Sequence, residues 1–101
     1  MKLIELKMSD LITLCKKYKV SKLWVFGSIL TPRFKDQSDI DFSVSFNKSK
    51  IKLEDYADNY FDFQENLKLL FQREIDLVCD DSVSNPYFKQ ELNKTKLLIY
   101  G

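Results

Sequence analysis

The chain has 101 residues, 45% hydrophobic and 14% aromatic, with 16 Lys and Arg against 15 Asp and Glu for a net charge of +1. That length predicts a single domain over residues 1–101, and the balanced charge excludes both a dedicated basic nucleic-acid binder and a disordered chain. No apolar run reaches the roughly 18 residues of a membrane span, and the absence of histidine removes Ser-His-Asp and Cys-His catalysis, H-E-x-x-H and every His-containing zinc site.

The opening M-K-L-I-E-L-K-M-S-D carries acids within its short apolar stretch and no cleavage-like site, so it does not read as a secretory signal, and the expected location is the cytoplasm. Residues 9–19 predict a helix: Leu11, Ile12, Leu14, Cys15 and Tyr18 share one face, Ser9 can cap the start, and Lys16, Lys17 and Lys19 suit the negative end of the helix dipole. Lys22 to Phe26, with Leu, Trp, Val and Phe in succession, predicts a strand covered on both faces. Gly27 ends it, Ser28 to Leu30 open a short helical turn stopped by Pro32, and Arg33 to Ser38 form a charged loop.

Asp39 to Phe46 is the clearest strand. Ile40, Phe42, Val44 and Phe46 alternate with Asp39, Asp41, Ser43 and Ser45, so both aspartates point to one face. After a loop at 47–50, Ile51 to about Gln72 predicts the longest helix, with a stripe of Leu53, Tyr56, Ala57, Tyr60, Phe61, Gln64, Leu67, Leu70 and Phe71 assigned to the core. Arg73 to Cys79 predicts a strand with Ile75 and Leu77 opposite Asp76 and Val78. Asn85-Pro86 opens a further helix, and Lys96 to Tyr100 is a last short strand. The order predicts an α/β (α+β) layer on a mixed sheet of about four strands. The two cysteines, Cys15 and Cys79, are too few for a four-Cys zinc site and read as small hydrophobes.

Any polar chemistry must therefore come from carboxylates, Lys, Arg, Ser, Thr or Tyr. Ten of the residues are Asp, so a lone D-x-D arises by chance. Asp76 adds weight, because an acid between apolar neighbours in a strand is costly unless it is paired or bound to metal. Were its strand to lie beside the D-x-D strand, three carboxylates would converge, and their mutual repulsion calls for a divalent cation. Oxygen ligands favour Mg²⁺ or Mn²⁺. Gly27-Ser28, at a strand-to-helix turn, supplies the close backbone approach and the N–H groups that an anion such as phosphate needs. The spacing is neither G-x-G-x-x-G nor a P-loop.

The run of G-S, ten residues, D-x-D and a later strand Asp resembles the minimal nucleotidyltransferases of the DNA polymerase beta superfamily. The stretches S-D-I-D-F (38–42) and E-I-D-L-V (74–78) resemble that family's metal strands. N-P-Y-F-K (85–89) and L-I-Y-G (98–101) look like the small branch found beside HEPN proteins in toxin–antitoxin pairs. The likeness spans about residues 10–101. It implies the nucleotidyltransferase fold and two metal ions, Mg²⁺ or Mn²⁺, held by Asp39, Asp41 and Asp76, with Asp76 helping to deprotonate the attacking hydroxyl. It also implies phosphates held by Gly27 and Ser28, and transfer of AMP from ATP to a tyrosine of a HEPN toxin, with no nucleic acid or membrane involved. Many relatives carry a small residue, Arg and Gly shortly after the serine; here Leu30, Thr31 and Pro32 stand there, leaving Arg33 or Lys35 to contact phosphate. Two other readings stay open: an antitoxin acting by binding alone around a residual nucleotide site, and an antibiotic-modifying transferase, whose relatives generally need extra helical domains.

Overall fold

A computed structural model describes residues 1–101. Two helices, Lys2–Leu6 (α1) and Met8–Lys17 (α2), lead into strand Val20–Phe26 (β1), followed by a 3₁₀ turn over Gly27–Leu30. Strand Ile40–Phe46 (β2), helix Tyr56–Phe71 (α3), strand Ile75–Cys79 (β3), helix Pro86–Thr95 (α4) and strand Leu97–Tyr100 (β4) complete the chain. The strands make one mixed sheet in the order β3-β2-β1-β4. β1 is antiparallel to β2 and β4, and β2 is parallel to β3.

The alternation in β2 decides which face is buried. Ile40, Phe42 and Val44 are wholly inaccessible, as are Leu23 and Val25, opposite Val44 and Phe42 in β1. These side chains meet Leu11 and Cys15 of α2 and Phe63 and Leu67 of α3 in one cluster of 17 buried residues. Cys15 lies inside it, and burial pushes its thiol up to about 12, so it packs as an inert small hydrophobe.

Three local departures from the pattern have physical causes. A short helix, α1, precedes the one expected at residue 9, because Ile4 finds a fully buried place in the core. Residues 51–55 do not join the long helix; a 3₁₀ turn at Leu53–Asp55 leads into α3, and Leu53 projects almost wholly into solvent. Within α3 the buried stripe is Phe63, Leu67 and Phe71, one step every four residues, so Phe61 falls on the outer side and is exposed. The helix ends with Gln72 in the left-handed conformation, φ 54°, its N–H bonded to Lys68 O at 2.7 Å.

The second face of the sheet carries Trp24, Phe26, Asp41, Ser43, Asp76 and Val78. Helix α4 crosses it. Its start is fixed by Pro86 in the first turn and by the Asn85 carboxamide, which accepts from the N–H groups of Tyr87 and Phe88 at 3.0 and 3.1 Å. Leu92 is its one buried residue.

Candidate active site

Strand register assembles the acids. Asp41 stands beside Asp76 in the parallel β2–β3 ladder and opposite Phe26 in β1, and residues at matched positions of neighbouring strands point to the same side. The side chains of Asp41 and Asp76 are in contact. Burial, then the hydrogen bond to Asp76, then the negative charges of Asp76 and Asp39, push the Asp41 carboxyl up to about 6. None of the ion pairs of the chain uses Asp39, Asp41 or Asp76. Crowded carboxylates with no basic partner are a hard, anionic donor set, and such a set fits a divalent cation such as Mg²⁺ or Mn²⁺.

Asp39 is held differently. It lies one residue before β2, outside the strand ladder, and it is near enough to Asp41 to act on it by charge. The arrangement brings Asp41 and Asp76 together, but no group of three acids closes around one ion position.

Gly27 abuts Asp41. Its φ is +77°, a region that favours glycine, and a Cβ there would overlap Oδ2 of Asp41. The turn beyond is tied by Thr31, whose N–H and hydroxyl donate to Ser28 O at 2.9 and 2.8 Å, while Arg33 N–H donates to the Thr31 hydroxyl at 3.3 Å. A cleft of about 610 Å³ opens between this turn and α4, with Phe26, Gly27, Ser28 and Arg33 on one side and Phe88 and Glu91 on the other. Its size is that of a small-molecule site. Phe26 and Phe88 meet edge to face, 6.1 Å between ring centres.

Deeper under α4 a polar network ties the helix to the sheet. The hydroxyl of the fully buried Ser43 donates to Asp80 Oδ1 at 2.8 Å, and Lys96 donates to the same oxygen at 2.8 Å while sitting 4.1 Å from the centre of the Trp24 ring. Lys89 donates to Asp80 O at 2.7 Å. Burial would raise the Asp80 carboxyl, but the bonds from Lys96 and Ser43 and the nearby charge of Lys89 hold it below its ordinary value. The sequence reading gave α4 no part in the site. Its local marks are the Asn85-Pro86 start and the N-P-Y-F-K stretch, and neither says where the helix docks.

The family model described as polymerase beta, nucleotidyltransferase matches residues 9–101. The chain belongs to this family. It is a nucleotidyltransferase. A protein of Methanocaldococcus jannaschii that bears the name protein adenylyltransferase is 33% identical to this nucleotidyltransferase over 85 residues, covering 84% of this chain and 80% of the relative. In fold, the chain matches a solved minimal nucleotidyltransferase with a TM-score of 0.73 at 19% identity, over 96% of this chain and 95% of that one. It also matches a toxin–antitoxin crystal structure with AMP-PNP, TM-score 0.67 at 20% identity, over 92% and 72% of the two chains.

Proposed function

We propose that this nucleotidyltransferase moves AMP from ATP to a hydroxyl of a partner protein, a tyrosine of a HEPN-type toxin, and so acts as the antitoxin of a pair. The observation that carries the reading is the touching Asp41–Asp76 pair with Gly27 against Asp41, an anionic pair next to the turn that lines the cleft. The adenylyltransferase relative supports AMP as the group moved, and the toxin–antitoxin neighbour with AMP-PNP supports the nucleotide and a toxin partner; the HEPN class rests on the sequence resemblance.

Asp39, Asp41 and Asp76 would hold Mg²⁺ or Mn²⁺, which when bound supplies Lewis-acid stabilisation of the charge on the phosphoryl oxygens. The protein's own residues do the rest. Gly27 and Ser28 bind the β- and γ-phosphates through backbone N–H groups and the Ser28 hydroxyl, which no hydrogen bond within the chain occupies. Arg33, on the cleft wall, adds a cation in place of the arginine that many relatives carry earlier. The tyrosine oxygen forms a bond to the α-phosphorus as the bond to the bridging oxygen breaks, releasing pyrophosphate. Asp76, the exposed member of the pair, accepts the hydroxyl proton.

The test is incorporation of labelled AMP into a co-expressed HEPN partner in the presence of Mg²⁺. Asp39→Asn and Asp41→Asn each abolish it; full retention in either sinks the catalytic reading. Exposed Phe61 and Leu69, on the outer side of α3 and two turns apart, favour a second reading, neutralisation by binding. Neutralisation that survives joint replacement of Asp39, Asp41 and Asp76 decides for it.

A further inference from the structure

Arg73 lies just before β3, three residues ahead of Asp76, and its side chain runs back across the loop that joins the Gly27 turn to the D-x-D strand. Nη1 donates to Ser38 O at 3.0 Å and to Lys35 O at 3.2 Å, and the guanidinium sits 4.9 Å from the centre of the Phe34 ring. Its Nε is buried without a partner, alone in that respect among the buried side-chain nitrogens and oxygens of the chain. The next residue contributes as well, since Glu74 O accepts from Ile40 N–H at 3.2 Å.

These bonds bracket Asp39. The carbonyl before it is held by Arg73 and the N–H after it by Glu74, while Asp39 itself stands outside the ladder that fixes Asp41. We propose that Arg73 is a positioning residue that sets the reach of the Asp39 carboxylate toward the Asp41–Asp76 pair, and through it the affinity of the site for a divalent cation. One nitrogen, Nη1, serves both carbonyls with its two in-plane N–H groups while the flat guanidinium lies over the Phe34 ring; an ammonium has no flat face to stack there, and an amide has no charge. The inference rests on the metal reading given under Proposed function. Charge alone would work in the opposite direction: removing a cation from the neighbourhood of three acids strengthens cation binding, whereas loss of positioning weakens it.

The experiment measures Mn²⁺ binding to the nucleotide-free protein by electron paramagnetic resonance, with thermal melting alongside to report folding. Arg73→Gln and Arg73→Lys are each expected to weaken Mn²⁺ binding on the order of ten-fold, and Arg73→Gln made on top of Asp39→Asn is expected to add no further loss. Should Arg73→Gln fail to fold, Arg73→Lys, alone and with Asp39→Asn, decides by the same criteria. Wild-type affinity in the Arg73 variants, tighter binding, or a loss that persists undiminished with Asp39→Asn overturns this inference and leaves the metal reading standing. A wild-type protein that binds no Mn²⁺ overturns both.

Discussion

Asp41 is held where its charge is least welcome. Burial and the touching Asp76 raise its carboxyl from 3.8 to about 6, so the folded chain keeps a proton there that the unfolded chain has already released. Protons bound in the native state and absent from the unfolded one make stability fall as pH rises. The window runs from about pH 4 to about pH 6, and above it the full cost applies. With the group half-exposed and screened by solvent, that cost is on the order of 1 kcal/mol. Asp41→Asn should therefore melt higher than wild type at pH 7, with the difference closing below about pH 4, while transfer activity is lost. Melting temperatures taken across that pH range check the sign. A variant that melts lower at pH 7 would mean that the pair is not strained. Like charges gathered for the chemistry proposed above would weaken the fold in this way.

Among the elements, α3 separates what pattern reading can and cannot do. Phe63 and Phe61 are two residues apart, the first fully buried and the second 61% exposed. Phe63→Ala should cost about 3–5 kcal/mol and Phe61→Ala about 0.5 kcal/mol or less by urea denaturation. The sequence assigned Phe61 to the core and passed over Phe63, because Tyr56, Tyr60, Phe61 and Phe63 spread apolar character round more than one face and leave the phase undecided. Strand β2 had no such ambiguity: strict alternation of apolar and polar residues admits one inward face, and Ile40, Phe42, Val44 and Phe46 took it. The Gly27-Ser28 and Asp39-x-Asp41 spacing was legible for the same reason, since both pieces are local. That Asp76 would touch Asp41 was readable only on the condition that β3 lies beside β2. The reach of Arg73 was not legible, nor was the docking of α4 on the cleft, although the helix itself was. Both depend on a side chain or helix crossing elements distant in sequence, and a lone Arg before a strand carries no local mark of it.

For the whole molecule, the two sides of the sheet are unequally secured. The core cluster of 17 residues includes none from α4, which holds to the second face through Leu92, the Phe88–Phe26 contact, and the Asp80 contacts with Lys89 and with Lys96 just past its end. Native-state hydrogen exchange should show the α4 amides opening at lower free energy than those of β1 and β2, as a separate cooperative unit. Equal protection in helix and strands would refute that. The Asp80–Lys96 pair is partly sheltered, so Asp80→Asn should widen the gap. A backbone nick in the exposed approach to α4, near Ser84, would release the near end of the helix, while β4, paired with β1 and packed on the core through Ile99 and Tyr100, keeps its far end on the sheet; one wall of the proposed nucleotide cleft would loosen with the 17-residue core still assembled. A preparation cut there would keep most of its folding signal and still lose the activity proposed for the cleft.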